Sequence, residues 1–269
     1  MRRTADVIAL AMAAVIAGCS AGDGKLAHDA ALEDSSYIEL ELATGRVSAL
    51  APPSAAALAG DRWRSSHMLF RYVSHGTAPA TASGLPAGGE AEDSVRLHAD
   101  GGWLAVFEMT ASQWRALSAD PGAEHGEMPA TGLAPALVHA VVDARRLERF
   151  HLELPDDALW RRACGGGRAE LFSWGSSQQP LVAKDHAVHY DAAAGMPAGA
   201  QRVGSLRPNS SGFYDMHGNA AEVATTGGGY AVHGGAWDSP LLACRTANQV
   251  ALPARTAHPA VGYRLAIRP

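Results

Sequence analysis

The chain has 269 residues, a formal net charge of −5 at pH 7, 47% hydrophobic residues and 18% charged residues. This length suits one large domain, or one domain with an appendage, and the apolar content is sufficient for a packed core. The acidic balance offers no basic surface for a polyanion, so a nucleic-acid partner is not expected.

The N-terminus has the pattern of a lipoprotein signal peptide. Arg2 and Arg3 precede an apolar run, residues 7–17, that is too short to span a bilayer. Cys19 directly follows small residues, as in a bacterial lipobox. We therefore expect residues 1–18 to be a signal peptide and Cys19 to be lipidated; an ordinary signal peptide is the alternative.

The residues after Cys19 predict the location and a linker. Ser20 stands where an aspartate commonly retains lipoproteins at the inner membrane. We therefore expect an exported protein that is lipid-anchored at the outer membrane, on its periplasmic or its surface face. Residues 19–36 are small, polar and partly acidic, which predicts a flexible tether.

The first structured elements are predicted after the tether. Tyr37 to Leu42 alternates apolar and polar residues, and Ala43-Thr-Gly-Arg interrupts the pattern before Val47, which predicts a hairpin. We assign residues 37–64 to this N-terminal extension. Further strands are predicted at Met68–Val73 and Trp103–Glu108, separated by a loop at residues 75–93 that is rich in Gly, Ala, Pro and Ser.

Three helices are predicted in the middle of the chain. Thr110-Ala-Ser-Gln113 has the form of a capping box and predicts a helix to about Leu117. Asp143 is expected to cap a short helix that places Leu147 and Phe150 on one face. The third helix is predicted from Pro155 to Cys164, because proline and acidic residues suit a first turn and Gly165 would end it. Early helices and late, short strands indicate an α+β fold.

Several segments, in order, carry the similarity to a known family. They are Phe107-Glu-Met-Thr, Leu154-Pro-Asp-Asp-Ala-Leu-Trp160, Phe172-Ser-Trp-Gly175, Gly212-Phe-Tyr-Asp-Met-His-Gly-Asn219, Gly234-Gly-Ala-Trp237, Cys244-Arg-Thr-Ala247 and Val261-Gly-Tyr-Arg264. Together they resemble the sulfatase-modifying-factor family of formylglycine-generating enzymes over about residues 65–269. The resemblance implies a C-type-lectin-like α+β fold with short helices, small twisted sheets and many loops. It also implies that Trp160 and Trp237 lie inside the fold.

The motifs that surround the family's catalytic site are present, but one of the two metal-binding residues differs. Family enzymes bind copper(I) with two thiolates, which are soft ligands suited to that ion. The corresponding positions here are Ser239 and Cys244. Because a serine hydroxyl is a hard ligand with a high pKa, we expect no copper site and only vestigial catalytic residues.

The resemblance also implies structural calcium. Calcium in this family is bound by oxygen ligands in loops, and Asn219 and Glu222 match one ligand stretch. The aromatic residues that flank this glutamate in the family are Ala221 and Val223 here. If no calcium binds, Asn219 and Glu222 are turn and hydrogen-bonding residues.

The cysteines and histidines leave open whether a disulfide or a further metal site is present. In an exported chain, Cys164 and Cys244 form either a disulfide with each other or two buried free thiols. His186, His189 and His217 suggest a metal site, but their spacing matches no helical ligand motif. A non-haem iron site is therefore not favoured.

Two functions remain open. The first is a non-catalytic binding or display protein for a protein, peptide or glycan. Its ligand-binding face would lie between the Gly-Gly-Ala-Trp and Gly-Tyr-Arg anchors and include Asp238, Ser239, Leu241, Leu242, Thr246, Asn248 and Gln249. In some family members, diversity-generating retroelements diversify this segment. The alternative is a divergent formylglycine-generating-type oxidoreductase or a periplasmic maturation factor that uses Cys244.

Overall fold

The computed structural model describes residues 32, 35–79, 96–120, 126–147, 149–165, 170–192, 195 and 197–269. The chain divides into two compact units, residues 1–35 and 36–269, and the second unit contains all the strands and helices named below. The predicted signal peptide, Cys19 and nearly all of the predicted tether lie outside the described residues.

The described elements are short. The strands are β1 (Tyr37–Glu41), β2 (Val47–Leu50), β3 (His67–Val73), β4 (Gly76–Pro79), β5 (Arg96–Ala99), β6 (Gly102–Ala105), β7 (His151–Glu153), β8 (Ala221–Thr226), β9 (Gly229–His233), β10 (Gln249–Leu252), β11 (Val261–Gly262) and β12 (Ala266–Arg268). The α-helices are α1 (Ala55–Ala59), α2 (Arg62–Ser65), α3 (Ala111–Ser118), α4 (Pro135–Asp143), α5 (Asp157–Gly165) and α6 (Pro180–Ala183), and a 3-10 turn spans Leu241–Cys244. Within the described part of the chain, no helix has the length and apolar character needed to cross a membrane.

The strands form small sheets. Six strands pair antiparallel in the order β2-β1-β3-β6-β12-β7, so the predicted N-terminal hairpin extends the same sheet that contains the C-terminal strand. Four strands form a second sheet in the order β10-β9-β8-β11, and β4 pairs with β5. Short helices around small sheets confirm the α+β fold class.

Helix α5 occupies the core between the two larger sheets. Its Leu159 and Trp160 belong to one buried cluster with Leu104 and Ala266 of the six-stranded sheet and Ala224 of the four-stranded sheet. Burying large apolar side chains against both sheets stabilises their arrangement through the hydrophobic effect. This helix was predicted from its Pro-Asp-Asp start and its glycine end, and it extends over Asp157–Gly165.

The capping box at the start of α3 is present. The Thr110 hydroxyl accepts a hydrogen bond from the Gln113 backbone N–H at 3.1 Å, and the Gln113 side chain accepts one from the Thr110 N–H at 3.0 Å. The same glutamine amide donates to the carbonyls of Trp63 and His67. The glutamine of this local helix signal therefore also connects α3 to α2 and to the first residue of β3.

The prediction that Asp143 begins a helix is wrong. Helix α4 begins at Pro135 and ends at Asp143. Proline fits the first turn because its missing N–H has no intrahelical partner there. Leu147 and Phe150 are buried as expected, but they lie in the irregular chain between α4 and β7.

The two tryptophans expected inside the fold differ. Trp160 is completely buried, which confirms its predicted place. Trp237 is only partly buried, so the expectation for this residue is wrong. It follows the tight turn at Gly234 and Gly235, where the chain leaves the core for a surface segment.

Candidate functional site

The site that corresponds to the family's copper position lies in the segment after β9. Gly234 and Gly235 have φ angles of 78° and 65°, a left-handed conformation that favours glycine. A Cβ atom on Gly235 would lie 2.7 Å from the Cys244 Sγ atom. The glycine turn therefore lets the backbone pack directly against this sulfur.

Ser239 stabilises the local turn through hydrogen bonds. Its hydroxyl accepts a hydrogen bond from the Ala236 N–H at 3.0 Å, and its carbonyl accepts one from the Tyr190 N–H at 2.9 Å. A serine side chain commonly stabilises a turn by such a bond to nearby backbone. The position that holds a metal-binding thiol in the family is thus occupied by a turn-forming hydroxyl.

Cys244 is enclosed by protein. The residue is fully buried, and its Sγ atom lies 3.8 Å from the Pro240 carbonyl oxygen. Burial, together with the negative charge of Asp238, raises the pKa of Cys244 to about 12. The thiol is therefore protonated at neutral pH, whereas copper(I) is bound by thiolate. One enclosed thiol and one hydroxyl do not fit the family's copper site.

Cys164 and Cys244 are both buried free thiols in the structure, which corresponds to the second of the two alternatives that the sequence leaves open. The Cys164 Sγ atom has its own polar neighbours, with Thr246 Oγ1 and His217 Nε2 each at 3.5 Å. Burial raises its pKa to about 12. Each sulfur is packed in a separate set of contacts.

His217 links three segments beneath this site. Its Nδ1 donates to the Cys244 carbonyl at 2.7 Å, and its Nε2 accepts the Ser173 N–H at 3.0 Å. The backbone donor at Nε2 requires a neutral ring with the proton on Nδ1. Burial lowers the pKa of His217 to about 4, in agreement with that assignment. The histidine therefore holds loops together as a neutral hydrogen-bonding residue.

The other two histidines considered for a metal site, His186 and His189, each contact a different neighbour. The His186 ring stacks on Trp174 with centroids 5.1 Å apart, and His189 Nδ1 lies 3.2 Å from the Ala187 carbonyl. Over the residues that the structure describes, no group of three or more His, Cys, Asp or Glu side chains is arranged to hold a metal. The three histidines named from the sequence are thus not brought together as ligands.

Most of the predicted ligand-binding face is accessible. Asp238 and Gln249 are exposed, and the residues of partial exposure are Ser239, Leu241, Leu242 and Asn248. Gln249 accepts a hydrogen bond from the buried Arg161 at 2.9 Å, which connects the face to the interior.

Thr246 does not belong to this face. It is only 2% exposed, its N–H donates to the Leu171 carbonyl, and its hydroxyl faces Cys164. The segment turns inward at Thr246 and packs there against the end of α5.

The residues expected to bind calcium have protein partners. Asn219, at φ 63°, donates to Glu108 at 2.5 Å and accepts the Gln201 N–H at 2.7 Å. Both oxygens of Glu222 accept hydrogen bonds from Arg264, and one also accepts the Trp160 indole N–H at 2.6 Å. Calcium requires free oxygen ligands. Glu222 does not fit this ion in its present arrangement, because its carboxylate is already neutralised by a guanidinium.

The most densely bonded group of the site was missed in the sequence. Arg264 is fully buried, and five hydrogen bonds reach the Glu222 carboxylate and the carbonyls of Ala105, Val106 and Tyr214. A buried ion pair offsets its desolvation only when such additional hydrogen bonds are present. The available signal was an arginine inside the apolar run from Val261 to Ile267.

Two further carboxyl groups complete this buried polar cluster. Burial, reinforced by the charges of Asp215 and Glu222, raises the pKa of Glu108 well above its ordinary value. Burial also raises the pKa of Asp215 to about 6, although the Gly204 N–H donates to it. Glu108 accepts the Ala220 N–H at 2.9 Å. Glu108 thus positions the chain at Asn219, and Asp215 positions it at Gly204. Glu108 is visible in the sequence as a glutamate that follows an apolar run.

Comparison with solved structures shows the same fold in three proteins. Treponema denticola variable protein 1 matches with a TM-score of 0.62 and 15% identity, over 76% of this chain and 96% of that protein. PvdO from Pseudomonas aeruginosa matches with a TM-score of 0.61 and 18% identity, over 74% and 94%. CarF matches with a TM-score of 0.53 and 19% identity, over 74% and 97%.

Sequence comparison provides the family. No curated protein sequence matches the chain at a significant level. Residues 103–269, more than half of the chain, match the model of the sulfatase-modifying factor enzyme 1-like domain. This range contains the Ser239–Cys244 segment and the buried polar cluster. The chain therefore belongs to the sulfatase-modifying factor enzyme 1-like family, as the motifs from Phe107 to Arg264 predict.

Proposed function

We propose that this protein is a lipid-anchored, non-catalytic binding protein that uses the family's fold to present a ligand-contacting surface. The observation that carries the proposal is the state of the former copper position. Ser239 is engaged in a turn, and Cys244 is a buried thiol with a pKa of about 12. Neither side chain supplies the thiolate pair that the oxidase chemistry requires.

The surface around Asp238 and Leu242 has the properties of a presented face. The backbone is held at its edges, because the Trp237 N–H donates to the Asn219 carbonyl at 2.9 Å and the Asn248 amide donates to the Ala243 carbonyl at 2.8 Å. The side chains between these points are exposed or half-buried, apart from the buried Cys244 and Thr246. Fixed backbone with accessible polar and apolar side chains favours binding of a protein, peptide or glycan.

The similarity to Treponema denticola variable protein 1 supports the display function. We therefore propose further that the segment between the two anchors, residues 238–260, is subject to diversification by a retroelement. This predicts a near-copy of the coding segment beside a reverse-transcriptase gene. A locus without either would limit the proposal to binding by an invariant face.

The binding face is tested with the full mature chain on peptide and glycan arrays. A variant with Leu241→Ser and Leu242→Ser is compared with Leu137→Ser, which changes an exposed leucine of α4. Binding that the face variant loses and the α4 variant retains supports the proposal. Equal binding by both variants would place the ligand elsewhere.

The absence of catalysis is tested with copper(I) and a cysteine-containing sulfatase peptide. We expect no tight copper binding in a titration against a competing chelator and no change in the peptide's mass. Ser239→Cys restores the second thiol and shows whether the scaffold still supports a site. Stoichiometric copper binding that is lost in Cys244→Ala, with oxidation of the peptide, would favour the divergent oxidoreductase instead.

The lipid anchor is tested separately at Cys19, which lies outside the described residues. Metabolic labelling with a fatty acid should mark the wild type and not Cys19→Ala, and the variant should leave the membrane fraction. Equal labelling of both proteins would remove the anchor from the proposed function without affecting the binding face.

A further inference from the structure

A cleft whose lining includes no residue of the Ser239–Cys244 segment lies where β3, the end of α5 and the loop before Phe213 meet. Its volume is about 280 Å³, and its lining includes Arg71, Ser74, Arg162, Ser210, Ser211 and Phe213. The volume is close to the lower end of ordinary small-molecule sites, about 300–1,000 Å³. The cleft therefore has room for a molecule of roughly monosaccharide or amino-acid size.

Two positive charges of this cleft have no anionic partner in the described part of the chain. Arg71 is half-buried, and its guanidinium carbon lies 5.3 Å from the centroid of the Tyr37 ring. Arg162 donates to the carbonyl oxygens of Ser74 at 3.4 Å and Thr77 at 3.3 Å. Within the residues described, neither arginine forms an ion pair. A partly desolvated cation without a counter-charge is stabilised by an anion that enters beside it.

Two glycines make room for the guanidinium groups of both arginines against the backbone. Gly212, at φ 78°, lies so close to Arg71 that a Cβ atom there would meet the guanidinium at 2.1 Å. Gly76 similarly allows the backbone to lie against Arg162, since a Cβ atom would approach its guanidinium carbon to 2.9 Å. The glycines leave room for the two guanidinium groups, while the carbonyl acceptors of Arg162 and the Tyr37 ring beside Arg71 restrict their positions. A preorganised site loses less entropy on binding.

One side chain also fixes the rim of the cleft. The Asn209 amide donates to the carbonyls of Ala163 at 2.8 Å and Cys164 at 3.0 Å, at the end of α5. Its oxygen accepts the N–H groups of Ser211 and Phe213, both at 3.0 Å. The amide thus donates hydrogen bonds to free carbonyl groups at the C-terminus of α5. These carbonyls carry the negative end of the helix dipole and, without a donor, would repel an anion in the cleft.

From this geometry we infer that the Arg71–Arg162 cleft binds a small ligand through a tetrahedral oxyanion, as in a phosphate or sulfate ester. Guanidinium groups pair with oxyanions through two parallel N–H···O bonds. A tetrahedral anion presents more than one pair of oxygens to cations from different elements, whereas a planar carboxylate presents a single bidentate edge. The serine residues add hydroxyl donors. The chain carries a net charge of −5, so the electrostatic field of the whole protein does not attract anions. The attraction must therefore come from the two arginines of the cleft.

The inference is tested by titrating the full mature chain with inorganic phosphate, sulfate and acetate at constant ionic strength, with calorimetry as the readout. We expect saturable binding of phosphate or sulfate, with a dissociation constant of about 1 mM or tighter, and weaker binding of acetate. The preferred tetrahedral anion distinguishes a phosphorylated from a sulfated ligand.

Variants locate the binding. Arg71→Gln and Arg162→Gln should each weaken it by about tenfold or more, since each removes charge-assisted hydrogen bonds. Arg71→Lys keeps the charge without the planar fork and should restore little of the affinity. Arg255→Gln removes an exposed arginine of another loop and should bind like the wild type. No saturable binding by the wild type, or equal affinity in Arg71→Gln with an unchanged melting temperature, would overturn the inference.

Discussion

The buried polar cluster around Arg264 and the surface segment from Asp238 to Gln249 are stabilised in different ways. In the cluster, side chains bond to side chains and to backbone, and Arg264 and Glu222 are completely enclosed. In the surface segment, most of the hydrogen bonds hold the backbone, as the bond from the Tyr190 N–H to the Ser239 carbonyl does.

This difference separates the residues that stabilise the fold from those that the proposed function assigns to ligand binding. Removing one member of the cluster leaves a buried charge or polar atom without a partner, which has a large cost. Replacing an exposed side chain of the surface segment changes few internal contacts. A fold built in this way tolerates sequence change at the surface while its core remains ordered.

The largest effect is expected for Arg264→Met, because Glu222 then remains buried without its cation. We expect the free energy of unfolding to fall by about 3–5 kcal/mol, measured by denaturant unfolding. The double variant Arg264→Met with Glu222→Leu removes both charges and should recover part of the loss. A single variant as stable as the wild type would show that the pair is not a determinant of the fold.

A similar effect is expected for Trp160→Ala, which leaves a cavity between the two larger sheets. Truncation of a buried tryptophan costs about 3–5 kcal/mol. Trp160→Phe keeps most of the volume but removes the donor to Glu222, so it should cost less, about 1–3 kcal/mol. Trp237→Ala is the comparison, since this residue is only partly buried. Equal losses for Trp160→Ala and Trp237→Ala would contradict the assignment of the core.

Acid should destabilise the protein through its buried neutral histidines, since burial lowers the pKa of His217 to about 4 and that of His233 to about 3. The pKa of His217 is about 4, below its ordinary 6.5, so the stability that it contributes is complete above pH 6.5 and is lost as the pH falls toward 4. This contribution is about 3 kcal/mol by linkage. The raised pKa of Asp215, about 6, acts in the opposite direction, because its ionisation penalises the fold as the pH rises from 3.8.

The His217→Gln variant separates the effect of the histidine from that of the carboxyl group. On acidification from pH 6.5 to 4.5 its free energy of unfolding should fall less than that of the wild type, or rise, because the opposing contribution of Asp215 is then no longer offset by His217. Chemical unfolding at several pH values measures this slope. Equal slopes in both proteins would mean that His217 does not titrate with folding.

The smallest effect is expected at the surface segment. Asp238→Ala and Leu242→Ser should each change the free energy of unfolding by no more than about 0.5 kcal/mol. Thr246→Arg provides the contrast within the same segment, because Thr246 is buried beside Cys164. Thermal unfolding of all three variants should show a large loss only for Thr246→Arg, and a large loss for Asp238→Ala would contradict the division into core and face.

The sequence predicted features that depend on neighbouring residues or on a family pattern. The capping box at Thr110 and Gln113 was visible because both bonds form within one helical turn. The helix before Gly165 was visible for the same reason, although Asp143 was placed at the wrong end of α4. The motifs from Gly212 to Arg264 predicted the family and with it the fold.

The tertiary structure decided which of these residues are accessible and which partners they have. Thr246, Trp237 and Glu222 were assigned from their positions in motifs, but their surroundings come from segments far away in sequence. The same holds for the Arg71–Arg162 cleft, whose cations lie on β3 and α5 and carry no shared motif. Local hydrogen bonds follow from adjacent residues, whereas burial, pKa shifts and converging charges depend on which distant segments the fold brings together.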